Sequence, residues 1–249
     1  MTTTAWGEAI DSDDKLKLLI NPESEYVEAA KNAFGRAIDD FIIDGALNPA
    51  FAGTDGQTSV AFPSGQILVD SALNNQTSID AGTTDGGHMS PQRLRTIKKM
   101  FDANDVDPDE ERFAAVGAAE IFQMLQWVPV ISADYNTVKA LAEGAVDTYM
   151  GFKFIMSNRL PTISTSPFGP FLRTTYNSSP WTGSGVTSGD RINIFWARSG
   201  LGHAIQEEVR TEIAKDPSLS FATRLYMEMV MGATRIEEAR VVAGLTVEP

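Results

Sequence analysis

The sequence predicts an α+β fold, and three observations carry that reading. One long run, Asn21 to Gly45, keeps an unbroken helical period. The middle of the chain alternates short helical and short strand-like pieces, and the stretch from Ile192 to Val247 is β-prone.

The long run comes first because its signals are clearest. Asn21 is suited to cap it and Pro22 to the first helical position, where a missing N–H costs nothing. Tyr26, Ala30, Ala33, Phe34, Ala37, Ile38, Phe41 and Ile42 recur at three- and four-residue spacing and line one face, and Gly45 is expected to stop the helix. Upstream, Thr2 to Trp6 reads as short and polar, and Asp11 to Asp14 precede Lys15 to Ile20 as a capped short helix or turn. Downstream, Gly53, Gly56, Pro63 and Gly65 punctuate two β-prone pieces, Ser59 to Phe62 and Gln66 to Val69. Ser71 to Met89 has no period and reads as an exposed loop.

Ser90 and Pro91 then cap and open a second helix through Phe101. An acidic loop, Asp102 to Glu111, leads to a strand at Phe113 to Val116, and helices are expected at Ala118 to Trp127 and Asp134 to Glu143. Tyr149 to Ile155 reads as one strand. Pro161 to Arg191, with Pro167, Pro170, Pro180 and many Ser and Thr, reads as a long loop. Strands follow at Ile192 to Ala197, Val209 to Ile213, Leu225 to Met231 and Val241 to Val247, with a helix as the alternative at Leu225 to Met231, which carries three of the nine Met.

Composition narrows the functional classes. The 249 residues carry 33 acidic and 20 basic side chains, a formal charge of -13. That field disfavours a general binder of nucleic acid or anionic membrane. The absence of cysteine removes disulfides, thiolate metal sites and a cysteine nucleophile. The start lacks the cationic head and apolar stretch of a signal peptide, and no run approaches the ~20 apolar residues of a membrane span. A soluble intracellular protein is expected.

The motifs of catalysis are missing. Gly183-Ser184-Gly185 only echoes an esterase elbow, with no strand before it or helix after it. Gly200-Leu201-Gly202-His203 lacks the third glycine of a dinucleotide loop and reads as a bend or bulge in a strand. The run from Asp102 to Glu111 fails as a calcium loop in both registers, because Val106 or Val116 falls at a ligand position. His88 and His203 have no carboxylate at helical spacing and read as a loop and a strand histidine. No catalytic residue, metal ligand or cofactor is expected.

A collinear set of segments resembles a known family. Ile10-Asp11-Ser12-Asp13-Asp14-Lys15, Asn21-Pro22-Glu23-Ser24-Glu25-Tyr26 and Gly35-Arg36-Ala37-Ile38-Asp39-Asp40 resemble parts of tailed-bacteriophage major capsid (coat) proteins. So do Met89-Ser90-Pro91, Ser132-Ala133-Asp134-Tyr135-Asn136, Gly151-Phe152-Lys153-Phe154 and Gly232-Ala233-Thr234-Arg235. The resemblance implies the Hong-Kong-97-type coat fold, shared with encapsulin shells. In that fold a spine helix and a long β-sheet form a peripheral domain, and an axial α+β domain points at the capsomer centre. It places the peripheral domain at residues 1–89 and 192–249, with the spine helix at 22–45, and the axial domain at 90–191 with a long loop at about 161–191. Relatives usually carry an N-terminal arm and hairpin loop ahead of the segment matched by Trp6 to Lys15; only five residues precede Trp6, so a longer natural chain or a shortened form is expected.

The function so implied is self-assembly of a major capsid protein into an icosahedral shell around phage DNA, in the virion and first in the host cytoplasm. Its partners would be other copies of itself, with portal and scaffold proteins, and DNA by weak non-specific contact; no membrane partner is expected. Phe168, Phe171, Tyr176 and Trp181 are the candidate subunit contacts, being aromatic in an otherwise polar loop. The acidic loop Asp102 to Glu111 is expected on an outer face or against basic residues of a neighbour. An encapsulin-like non-viral shell and an enzyme of unknown type are the alternatives.

Overall fold

The computed structural model describes residues 2–10, 22–69, 87–127, 148–163, 180–181, 189–219 and 222–247. They fall in two compact units, Met1–Ile42 with His203–Ala233, and Ile43–Gly202 with Thr234–Pro249. The expected domain boundaries at 89/90 and 191/192 both lie inside the second unit.

Helix α1 spans Pro22–Leu47, which at 1.5 Å per residue is about 39 Å. Its first-unit part buries Ala30, Phe34, Ala37 and Phe41, the apolar stripe read from the spacing. Gly45 does not stop it. The helix continues because Ala46 and Leu47 are buried, and the Asn48 N–H still reaches the Asp44 carbonyl at 2.9 Å. Core burial here outweighs the roughly 1 kcal/mol helical penalty of one glycine.

The first unit also holds a three-stranded sheet, ordered β1 (Thr2–Ile10), β10 (Ala222–Arg235) and β9 (Leu201–Asp216). The N-terminal segment is therefore a strand, antiparallel to β10 with Thr2 opposite Met231 and Ile10 opposite Thr223. Its alternating Thr4, Trp6 and Glu8 give no apolar pattern that sequence could show. β9 and β10 are far longer than the pieces expected from Val209 to Ile213 and Leu225 to Met231, since backbone pairing extends them through polar residues. Along β10, Leu225, Met227, Met229 and Met231 are buried on one face at the strand period of two.

The second unit is built on a six-stranded mixed sheet of order β4-β11-β8-β5-β7-β6. These strands are β4 (Ile67–Leu68), β5 (Arg112–Val116), β6 (Thr148–Tyr149), β7 (Phe152–Met156), β8 (Arg191–Ala197) and β11 (Val241–Thr246). A separate hairpin joins β2 (Ala50–Ala52) to β3 (Thr58–Val60). Both faces of the sheet are covered, so β8 and β11 are buried along nearly their whole length, with Asn193 and Thr246 among their buried polar residues. On one face Phe195, Ala197, Val242 and Phe152 meet Leu94, Ile97 and Phe101 of α2 (Pro91–Ala103) and Met124 of α3 (Ala118–Leu125). On the other, Ile192, Ile194, Val241, Ala243 and Leu245 meet Ile43, Leu47, Phe62 and Trp181.

The cap on α2 is the one expected: Ser90 Oγ accepts from the Arg93 N–H at 3.2 Å, with Pro91 next. The expected single strand at Tyr149 to Ile155 is instead a hairpin. Met150 and Gly151 have φ of 52° and 86°, the two positive values of a two-residue turn, and Tyr149 pairs with Phe152. The expected Asn21 cap, the turn at 11–20, most of the loop at 71–89 and the helix at 134–143 lie outside the described residues.

Candidate assembly surface

The four aromatic contacts separate. Phe168, Phe171 and Tyr176 lie outside the described residues. Trp181 does not offer itself to a neighbour: it is 3% exposed, in the core with Ile43, Leu160 and Leu245, and its ring lies 5.0 Å from that of Phe62. The indole fills the apolar layer beneath its own sheet.

The acidic loop is largely exposed, and several of its carboxylates pair with basic residues of its own unit. Arg112, nearly buried, donates to Asp102 at 2.9 Å and to the Val106 carbonyl at 3.2 Å, with its guanidinium 5.4 Å from the Phe101 ring. Glu110 accepts from the Ser199 N–H at 2.6 Å and from Arg240 at 2.5 Å. Glu111 pairs with Lys153 and, at 3.6 Å, with Arg198. The loop's own pairs come from basic residues of the same chain, while most of its residues remain exposed. Partial burial works against ionisation of Glu110, but the hydrogen bonds from Ser199 and the charge of Arg240 hold its carboxyl below the ordinary range. The Lys153 contact does the same for Glu111. No calcium geometry results, and among the described residues no group of three His, Asp or Glu is placed to hold a metal.

A buried polar seam, invisible in the sequence, ties the C-terminal strand to both helices. Asn193 donates to Thr246 Oγ1 at 2.7 Å, and Thr246 donates to the fully buried Glu120 at 2.9 Å. Arg191 lies 3.7 Å from the same carboxylate. Gln123 accepts from the Met89 N–H at 2.7 Å and donates to the Val247 carbonyl at 3.1 Å. Arg93 donates to the Leu245 carbonyl; burial pushes its guanidinium down to about 10, against the charge of Asp190, so it stays cationic at neutral pH. These groups bond strand ends to the two helices, a fixing role rather than a reacting one.

Exposed large apolar side chains lie on helices, strands and a turn, Phe122 and Ile236 among them at 63% and 67% exposure. Phe51 at the β2–β3 hairpin is 70% exposed, and Ile205, Val209 and Ile213 stand exposed along β9. His203 sits exposed on the same strand and His88 in the turn before α2, as their sequence positions suggested.

The phage capsid protein family model matches residues 1–248. The chain belongs to that family. No curated protein matches this capsid protein, whereas solved structures do. A Mycobacterium phage Che8 chain is 18% identical at a TM-score of 0.62, over 98% of this chain and 70% of that one. The capsid of cyanophage Pam1 gives 14% and 0.67, over 99% and 74%. An encapsulin complex from Synechococcus elongatus gives 9% and 0.55, over 99% and 74%. The capsid protein has the Hong-Kong-97-type coat fold, which the encapsulin shares at lower similarity.

Proposed function

We propose that this capsid protein is the major shell subunit, self-assembling into capsomers and then an icosahedral head around phage DNA, with no catalytic role. The match of the family model over residues 1–248 carries this reading. The unit with the long helix and the long three-stranded sheet is the peripheral domain, and the unit with the six-stranded sheet is the axial domain. Its net charge of -13 suits a lining that contacts packaged DNA weakly and without sequence preference. Portal and scaffold proteins are its further partners, and the shell forms in the host cytoplasm. No helix among the described residues is long and apolar enough to cross a membrane.

Electron microscopy of assembled particles tests the assignment. Density for α2, α3 and the six-stranded sheet should lie nearest the capsomer axis, and density for β9 and β10 farthest from it. The reverse order overturns the domain assignment, and capsomer-free material overturns the function.

A further inference from the structure

Among the described residues, the outer edge of β9 is a long, uncovered strand edge. β9 runs for 16 residues, and among the described residues no strand pairs with its side away from β10. Every residue from His203 to Lys215 is exposed. Natural proteins blunt such edges with proline, bulges or covering loops, because free N–H and C=O groups recruit another strand. β9 contains no proline, and Ile205, Val209 and Ile213 share one of its faces at 42–58% exposure.

We propose that β9 pairs antiparallel with β9 of a second copy across a two-fold axis at Val209, joining two three-stranded sheets into one of six strands. The occupant follows from self-complementarity. With Val209 opposite Val209, each Ile205 faces Ile213 of the other copy, each Glu208 faces Arg210, and Gln206 faces Glu212. All three exposed apolar positions are then covered twice, and two opposite-charge pairs form by symmetry.

Neighbouring registers are worse. An axis at Glu208 sets that carboxylate against itself, and one at Arg210 opposes two arginines and sets Glu208 against Glu212. Axes between residues put Ile205 or Glu207 opposite Glu212. An axis at Thr211 keeps charges matched but carries Ile205 past the strand end, opposite Pro217, and shortens the ladder. Like charges directly opposite are destabilising, which rules out the axes at Glu208 and Arg210, and the longer ladder that keeps Ile205 paired then selects Val209 over Thr211.

This inference rests on the self-assembly reading, and the test separates the two. The chain has no cysteine, so Val209→Cys introduces a single thiol. Directly opposite strand residues lie about 4.5–5.5 Å apart at Cα, within disulfide reach. Thr211→Cys and Glu207→Cys would each stand about 13 Å from their symmetry mates, out of reach. Mild oxidation of the full chain should therefore link copies through position 209 several-fold faster than through 207 or 211. Glu208→Arg and Arg210→Glu should each weaken association about tenfold, and the double variant E208R/R210E should restore it. Particles that form with no link at 209, a faster link at 211, or a double variant left weak would overturn this pairing while leaving assembly standing. A monomer at every concentration would overturn both.

Discussion

Arg235 shows how much one side chain can hold. It is buried and donates to the carbonyls of Ala46, at 2.8 Å, and Asn48, and of Val60 at 3.3 Å. It also pairs with Glu238 at 2.8 Å and lies 4.9 Å from the Phe62 ring. The first two carbonyls close the end of α1, where a cation is favoured by the helix dipole. Arg235→Met should cost about 3–5 kcal/mol, because Glu238 and three carbonyls lose their partner. That corresponds to a melting temperature lower by roughly 6–20 °C, read by calorimetry. A sequence signal existed: Arg235 continues the inward parity of Leu225, Met227, Met229 and Met231. Trp181→Ala should likewise cost about 3–5 kcal/mol in the isolated chain, whereas a pure subunit contact would leave its unfolding unchanged. Gly200, which as sequence looked like half of a failed nucleotide loop, is needed for closeness. A Cβ there would stand 2.6 Å from the Arg240 carbonyl oxygen, so Gly200→Ala should lower the urea midpoint.

At the scale of elements, what was legible depended on whether a short-range signal set the outcome. The spine helix, the Ser90-Pro91 helix start and strands β5, β8 and β11 follow from period, cap chemistry and apolar runs. β1 and the full β9 and β10 were not legible, because pairing between distant strands, not side-chain pattern, extends them. The polar seam at Glu120, Asn193 and Thr246 joins residues over 120 positions apart and leaves no local trace. The acidic loop was visible, but not that Lys153, Arg198 and Arg240 converge on it. Its latch has a signed pH dependence. Glu110 has a folded-state pKa lowered from the ordinary value of about 4.3, so its stabilisation is complete above about pH 5 and fades as pH falls through the lowered value. Urea midpoints of the native chain and Glu110→Gln should differ above about pH 5 and converge once pH falls below the lowered pKa of Glu110. A gap unchanged with pH would mean that the carboxylate charge does not hold the loop.

At the scale of the molecule, the account makes this chain a surface for copies of itself. Its interior polar groups and ion pairs fasten strand ends and a loop, and one set of exposed apolar groups, Ile205, Val209 and Ile213, lies along a strand edge. The measurement that tests this most directly is the particle mass of the purified chain across concentrations, by light scattering with negative-stain images of the same samples. Mass should rise with concentration to capsomers or closed shells. A monodisperse monomer at every concentration would contradict self-assembly.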